Sequence, residues 1–571
     1  MMKHTRKLLV AAAAMSVMTF SSCDKQDYID FNTNPNTIYN LTPEQQFTNS
    51  CIAMFDADFE YYYDYYRIMM PWMQYFTPAN GNSKTYMQDV GNFNQRRGYF
   101  YLRVGNNLTD VLQIINRAPE EEKANRRSQA AIAKILLTYY GLYTTETNGN
   151  LPYTEAWQAR YGGTLTPKYD TQEELFSTFD ADLKASIATL KANTSEQISF
   201  GTADLYYSGD AAKWVKAANA LRLRLAMRWG KRNPAKLQEI ANEVIAGDLF
   251  TANSDNLEFV SSSNHAGAGG NWDPSPALFK GSKALVDFMY NSNDPRIRIF
   301  FQKNAYSQQN VDLAKAQGII PASTIVSAKQ YVGGFASPDA AADAANARFY
   351  NNTRNFVNGN GVQQALDTLS RIQYRLFCPG ISNPYVSNPT PGTGQITFPM
   401  LTYSEQLFYR AELAARGITT ENAEQLYEMA VKASMRYYDL MGSRAQVFDY
   451  VALTDTEVDA AYNNVNVKYD ASKALDLIAS QSYIHFFKQA NEGWALYKRT
   501  GMPNTTTTLA FEQILADGVV QKMPRRPLIN LPNNTDLNFN NAKAGLDQMA
   551  SDPEFGAGPG DIYGRIWWDK Q

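Results

Sequence analysis

Over several long segments the apolar residues of this chain recur with the 3.6-residue period of amphipathic helices, and glycine- and asparagine-rich stretches separate those segments. From Thr171, with Glu174 at capping-box spacing, the stripe Phe176, Phe179, Leu183, Ile187 and Leu190 predicts one buried helix face. Trp214, Ala218, Leu221, Leu225 and Trp229 predict a second; Lys216, Arg222, Arg224 and Arg228 fall largely off it and read as a solvated or salt-bridged face, not a ligand site. Further helices are predicted over 128–143, where Ile132, Leu136, Tyr139 and Tyr143 align, and near 473–498.

The stretch from 403 to 440 predicts a helix pair. Thr402 and Glu405 have capping-box spacing, Leu407, Ala411 and Ala414 share a face, and Gly417 supplies a stop. A second helix begins after Thr420, with Ala423, Leu426, Tyr427, Ala430 and Ala433 inward. Two helices with alanines at their contacts and a short turn between them have the size of a tetratricopeptide unit, which buries its apolar face only by stacking. The fold class expected is therefore mainly α, a curved scaffold of helix pairs. Its long irregular inserts, 71–98, 250–280, 318–362 and 377–400, are read as a binding surface on a rigid support.

The beginning of the sequence reads as an export signal over 1–22: Lys3, Arg6 and Lys7 precede an apolar run, Leu8 to Phe20, shorter than the roughly 20 residues of a membrane span. Phe20, Ser21 and Ser22 lead into Cys23 in a pattern that resembles the lipobox of bacterial lipoproteins, in which the cysteine is acylated. Residues 23–40 then form a lipid-anchored tether, and 41–571 a single helical domain. Of the other cysteines, Cys51 and Cys378, the sequence allows one disulfide or two buried thiols, and buried thiols are preferred.

A formal charge of -3 provides no basic excess for phosphates, which argues against a nucleic-acid partner. The three histidines, His4, His265 and His485, are isolated, and no zinc, acyl-transfer or nucleotide motif occurs; no metal, cofactor or catalytic residue is expected. His485 reads as a satisfied packing residue, and His265 as a possible ligand contact in a glycine-rich loop. The 56 Asp and Glu leave a glycoside hydrolase pair open as the enzyme alternative.

Aromatic residues make up 13% of the chain, led by 36 tyrosines, and flat rings with polar edges suit sugar faces and peptide groups alike. Ligand contacts are expected from Trp72, Tyr75, Phe76, Asn80, Asn82 and Tyr86, with Lys84 beside them, and from Trp272 and Tyr331 on inserts around 265–275 and 331–350. The tyrosine run Tyr61, Tyr62, Tyr63, Tyr65 and Tyr66 surrounds its own helix and reads mostly as packing.

In order along the chain, Phe31–Asn36, Asn148-Gly149-Asn150-Leu151-Pro152-Tyr153-Thr154-Glu155-Ala156, Gly209–Trp214 running on to Arg224, Leu401–Glu405, Ala411–Gly417, Glu492-Gly493-Trp494 with Arg499–Pro503, and Pro524–Pro527 with Asn540 and Asn541 resemble the SusD/RagB family. Asn150 stands where that family more often has Asp. The resemblance covers nearly the whole chain after the signal. It implies four tetratricopeptide-like helix pairs and an outer-membrane, surface-exposed lipoprotein without enzymatic activity. Such a protein binds a nutrient, either a glycan or, as in RagB-type proteins, a peptide, and passes it to a SusC-like TonB-dependent transporter. The acidic tether Asp24, Asp27 and Asp30 resembles the surface-export signal of Bacteroidetes lipoproteins.

Overall fold

Several of the helices start where a side chain answers the first free backbone N–H groups. Thr171 and Glu174 form a reciprocal capping box, Asp210 accepts from the N–H groups of Ala212 and Lys213, and Asn422 accepts from that of Gln425. The computed structural model describes residues 41–56, 60–77, 90–192, 194, 196–261, 279–346, 354–378 and 393–571. Within them the principal helices are α1 (Pro43–Ala53), α2 (Gly105–Arg117), α3 (Arg127–Asn148), α4 (Gln172–Lys191), α5 (Ala211–Trp229), α6 (Pro234–Ile245), α7 (Lys283–Asn291), α8 (Tyr403–Ala415), α9 (Ala423–Ala445), α10 (Ala474–His485), α11 (Ala490–Thr500) and α12 (Phe539–Ala550). The mainly helical fold class is confirmed.

Packing follows chain order: α1 lies on α2, α2 on α3, α3 on α4, α4 on α5, and α5 on both α6 and α8, while α8 packs on α9 and α10 and α10 on α11. One core runs through this succession, and Pro43–Gln571 forms a single compact unit. The segment expected as one helix near 473–498 is broken at Gln489, whose backbone leaves helical geometry at φ -129° and ψ 61°. Cys51 and Cys378 are buried thiols, as preferred. Tyr61, Tyr65 and Tyr66 are core residues on a π-helical stretch, Glu60–Met69, also as expected.

One expectation about polar residues is narrowed to one of its two alternatives, and another is corrected. Arg222, Arg224 and Arg228 are salt-bridged but not solvated: each is 5% exposed or less. Glu405 does not complete a capping box; Thr402 caps α8 alone, and the Glu405 carboxylate instead accepts from the Nε and Nη2 edge of the Arg224 guanidinium at 2.6 and 2.7 Å. A charge-assisted bidentate pair outweighs the single bond to a backbone N–H that the box would add. Arg224 also reaches Glu492 at 3.3 Å, and Arg228 joins Glu492 to Glu146 at 2.6 Å each. Burial opposes every charge in this cluster, yet Arg224 and Arg228 together outweigh it at Glu492 and hold that carboxyl below its ordinary range.

Three of these five buried charges, Arg224, Glu405 and Glu492, are motif residues. Glu405 closes the Leu401–Glu405 motif, Arg224 and Arg228 lie on the helix opened by Asp210, and Glu492 opens Glu492-Gly493-Trp494. Glu412 of the Ala411–Gly417 motif likewise takes both ends of the Arg499 guanidinium. The Trp494 indole donates to the Pro524 carbonyl at 2.9 Å, and Asn150 donates to Gly545 O and Gln548 Oε1 on α12. Gly493 has no room for a side chain, because a Cβ there would overlap the Tyr75 hydroxyl. The motifs therefore specify how the helices meet.

His485 is 2% exposed, with Nε2 2.7 Å from Thr402 Oγ1 and Nδ1 2.9 Å from Ser434 Oγ, which bears out its reading as a satisfied packing residue. Burial, with Arg296 nearby, pushes its pKa down from 6.5 to about 3. A histidine with a depressed folded-state pKa contributes stability that is present above 6.5 and lost as pH falls from there toward 3. The loss over that interval is expected to be on the order of a few kcal/mol. In His485→Gln the acid limb of the stability profile should be shallower than in the wild type; identical limbs in acid-unfolding titrations would refute this.

Candidate functional site

Sequence places three of the expected binding segments far apart, and backbone pairing brings their stems together. Strand β1 (Phe76–Thr77) leads into residues 78–89, β2 (Leu257–Val260) stands just before residues 262–278 in sequence, and β3 (Lys280–Gly281) follows them; β1 and β3 pair antiparallel, Phe76 opposite Gly281 and Thr77 opposite Lys280. The 331–335 segment is stitched to the same place: Gly334 N donates to Gly281 O at 2.9 Å and Lys283 N to Gly334 O at 2.6 Å. Below this junction, Gln74 and Glu512 clasp each other through side-chain and main-chain bonds of 2.7 and 2.9 Å, and Ser282 donates to the Gln74 carbonyl.

Beside the junction opens a cleft of about 360 Å³. Phe288, Phe335 and Phe511 contribute rings to its wall, and Lys283, Asp287, Asn291, Asn466, Thr508 and Glu512 contribute polar groups. Rings combined with amide, hydroxyl and charged groups are the lining that holds a polar ligand with apolar faces. Burial raises Asp287, but hydrogen bonds from Lys283 and Lys329 outweigh that and keep its carboxyl below the usual range. Burial pushes Glu512 up to about 7, even though its Oε2 accepts from the Ala336 N–H at 2.7 Å.

The expected contact residues divide sharply. Trp72, Tyr75 and Phe76 are core side chains, 2%, 0% and 0% exposed, which corrects their reading as ligand platforms. The Tyr75 ring stacks on Tyr483 at 4.4 Å and its hydroxyl donates to Tyr483 O, while Phe76 stacks on Phe279 at 4.6 Å. Tyr331 is half-buried on the segment that continues to Phe335 but does not line the cleft, and burial pushes its phenol up to about 12. Asn80, Asn82, Lys84, Tyr86, His265, Trp272 and Cys23 lie outside the described residues. Sequence reasoning did not single out Phe335, although it stands inside the 331–350 insert; the Gly333-Gly334 pair before it, which lets two backbones meet, was the available signal. Among the described residues no group of three or more His, Cys, Asp or Glu is placed to hold a metal, and no helix is long and apolar enough to cross a membrane.

A stack of helices that seals its charged cluster inside and opens a cleft beside paired strand stems is the scaffold expected of the SusD-like family. The chain belongs to that family: the family model described as "Starch-binding associating with outer membrane" matches residues 35–526. Among solved structures, it is similar to a chitin-binding protein at 22% identity and a TM-score of 0.66, over 93% of this chain and 100% of that one. A SusD homolog from Bacteroides fragilis matches at 19% identity and 0.64, over the same shares. A chitin-binding SusD homolog from Flavobacterium johnsoniae matches at 21% and 0.62, over 93% of this chain and 99% of that one. No curated protein matches the chain.

Proposed function

We propose that this protein is an outer-membrane lipoprotein, anchored through an acylated Cys23 and exposed at the cell surface. In this reading it captures an oligosaccharide and hands it, unaltered, to a SusC-like TonB-dependent transporter. The observation that carries the reading is the junction of β1, β3 and the 331–335 segment beside the Phe335 cleft, which joins ring faces to hydroxyl-matching polar groups on a fixed support. The family's description and the titles of two chitin-binding relatives support a glycan over a peptide as cargo. Stacking contributes about 1 kcal/mol per ring beyond area burial, so a few rings give micromolar or weaker affinity. Weak capture suits cargo that must be released to a transporter.

Phe335→Ala is expected to weaken oligosaccharide binding about tenfold with an unchanged melting temperature, read by isothermal titration against maltoheptaose, chitohexaose, inulin and a peptide pool. Unchanged glycan affinity would remove the cleft from the site, and binding confined to the peptides would change the cargo class. One observation gives a hydrolytic reading some standing: an ionised Asp287 and a raised Glu512 share the cleft. Geometry favours capture, because Asp287 is clasped by two lysines and Glu512 Oε1 is sealed from water. Release of reducing ends that disappears in Glu512→Gln would reverse that choice.

A further inference from the structure

A second groove, of about 530 Å³, lies on the helical scaffold, walled by α2, α3, α4 and the 153–158 turn. Trp157 stands on its wall in a conformation that bulky residues avoid, with φ at +60°. The indole is fixed from several sides. Its N–H donates to Tyr101 O at 2.9 Å, Phe100 meets it edge-on at 5.2 Å, and Gly105 lies beneath, where a Cβ would overlap the ring. Backbone strain and a missing side chain thus both serve to hold one half-buried indole at the groove.

The polar lining next to it is arranged in donor and acceptor pairs. Gln113 Nε2 donates to Gln158 Oε1 at 3.0 Å, which leaves Gln113 Oε1 to accept and Gln158 Nε2 to donate. Lys134 and Asp182 form a 3.4 Å ion pair whose side chains are 33% and 27% exposed, so a donor and an acceptor again stand side by side at the surface. Adjacent hydroxyls of a pyranose need such a pair, and its apolar face needs a held ring. The groove is walled by helices and a turn and offers no strand edge on which a peptide backbone would pair.

We infer that this groove is a second, independent oligosaccharide subsite, in which the Trp157 indole stacks on a sugar ring and the Gln113–Gln158 and Lys134–Asp182 pairs bind its hydroxyls. Two weak sites on one chain raise retention on a polymer well beyond either affinity alone. The test uses the whole protein in affinity electrophoresis through gels containing soluble starch, glycol chitin or inulin, with Phe335→Ala as the reference for the first cleft. Trp157→Ala is expected to reduce retention about tenfold and to leave the affinity for maltoheptaose or chitohexaose at the Phe335 cleft unchanged. Because removing the indole also relaxes the turn, a Gln113→Ala, Gln158→Ala double variant, which keeps the ring, is run beside it and should reduce retention severalfold at an unchanged melting temperature. Retention unaffected by both variants, or no retention of the wild type by any polymer, overturns this inference. Loss in these variants with none in Phe335→Ala leaves the groove standing and overturns the cleft.

Discussion

Replacing Arg228 by methionine is expected to lower stability by about 3–5 kcal/mol, the largest effect of any single charge change in this chain. Methionine keeps the apolar stem and the volume, so the loss reports the charge. Glu146 and Glu492 are 5% and 0% exposed at their side chains and would each lose the guanidinium that holds them at 2.6 Å. Arg224 would then be the one guanidinium left to Glu492 and Glu405, and the Glu146 carboxylate would lose its ion-pair partner. The measurement is the shift of the chemical unfolding midpoint against the wild type. A suitable control is Lys543→Met, whose ion pair with Asp547 is about half exposed and should contribute under about 1 kcal/mol. If both variants shift the midpoint equally, burial gives this cluster no special weight in stability.

Trp568→Ala should cost a similar amount, about 3–5 kcal/mol, through the cavity it leaves. The side chain is 2% exposed, its N–H donates to the Glu146 carbonyl at 2.9 Å, and the Arg228 guanidinium lies 5.4 Å from its ring. Trp568 and Arg228 therefore share Glu146 as a partner, one through the backbone and one through the carboxylate. Their effects should be non-additive by at least about 0.5 kcal/mol in a double-mutant cycle, and simple additivity would show that the two act separately.

Much of the scaffold was legible because caps and stripes are local signals. Thr171 with Glu174, and Trp214 through Trp229, needed only neighbouring residues to be read, and they form as expected. The buried arginines were not legible in their setting: a basic residue off the stripe looks the same whether water or Glu405, 181 positions away, receives it. The ring-bearing site was misread for a related reason. Trp72, Tyr75 and Phe76 carry the same apolar faces whether they meet a sugar or Tyr483 and Phe279. The density of apolar residues from Met69 to Phe76 was the signal that they belong to the core. What locates the cleft is the pairing of β1 with β3 across about two hundred residues, and no local pattern announces it.

That short ladder separates two design tasks within one chain. The ion pairs that determine how the helices assemble use no residue of 78–89 or 262–278, the two segments that adjoin the ladder in sequence, so those segments can change in composition without removing a partner from any of them. Substitutions in the two parts of the chain are then free to accumulate independently, one set altering what adjoins the ladder and the other how the helices meet.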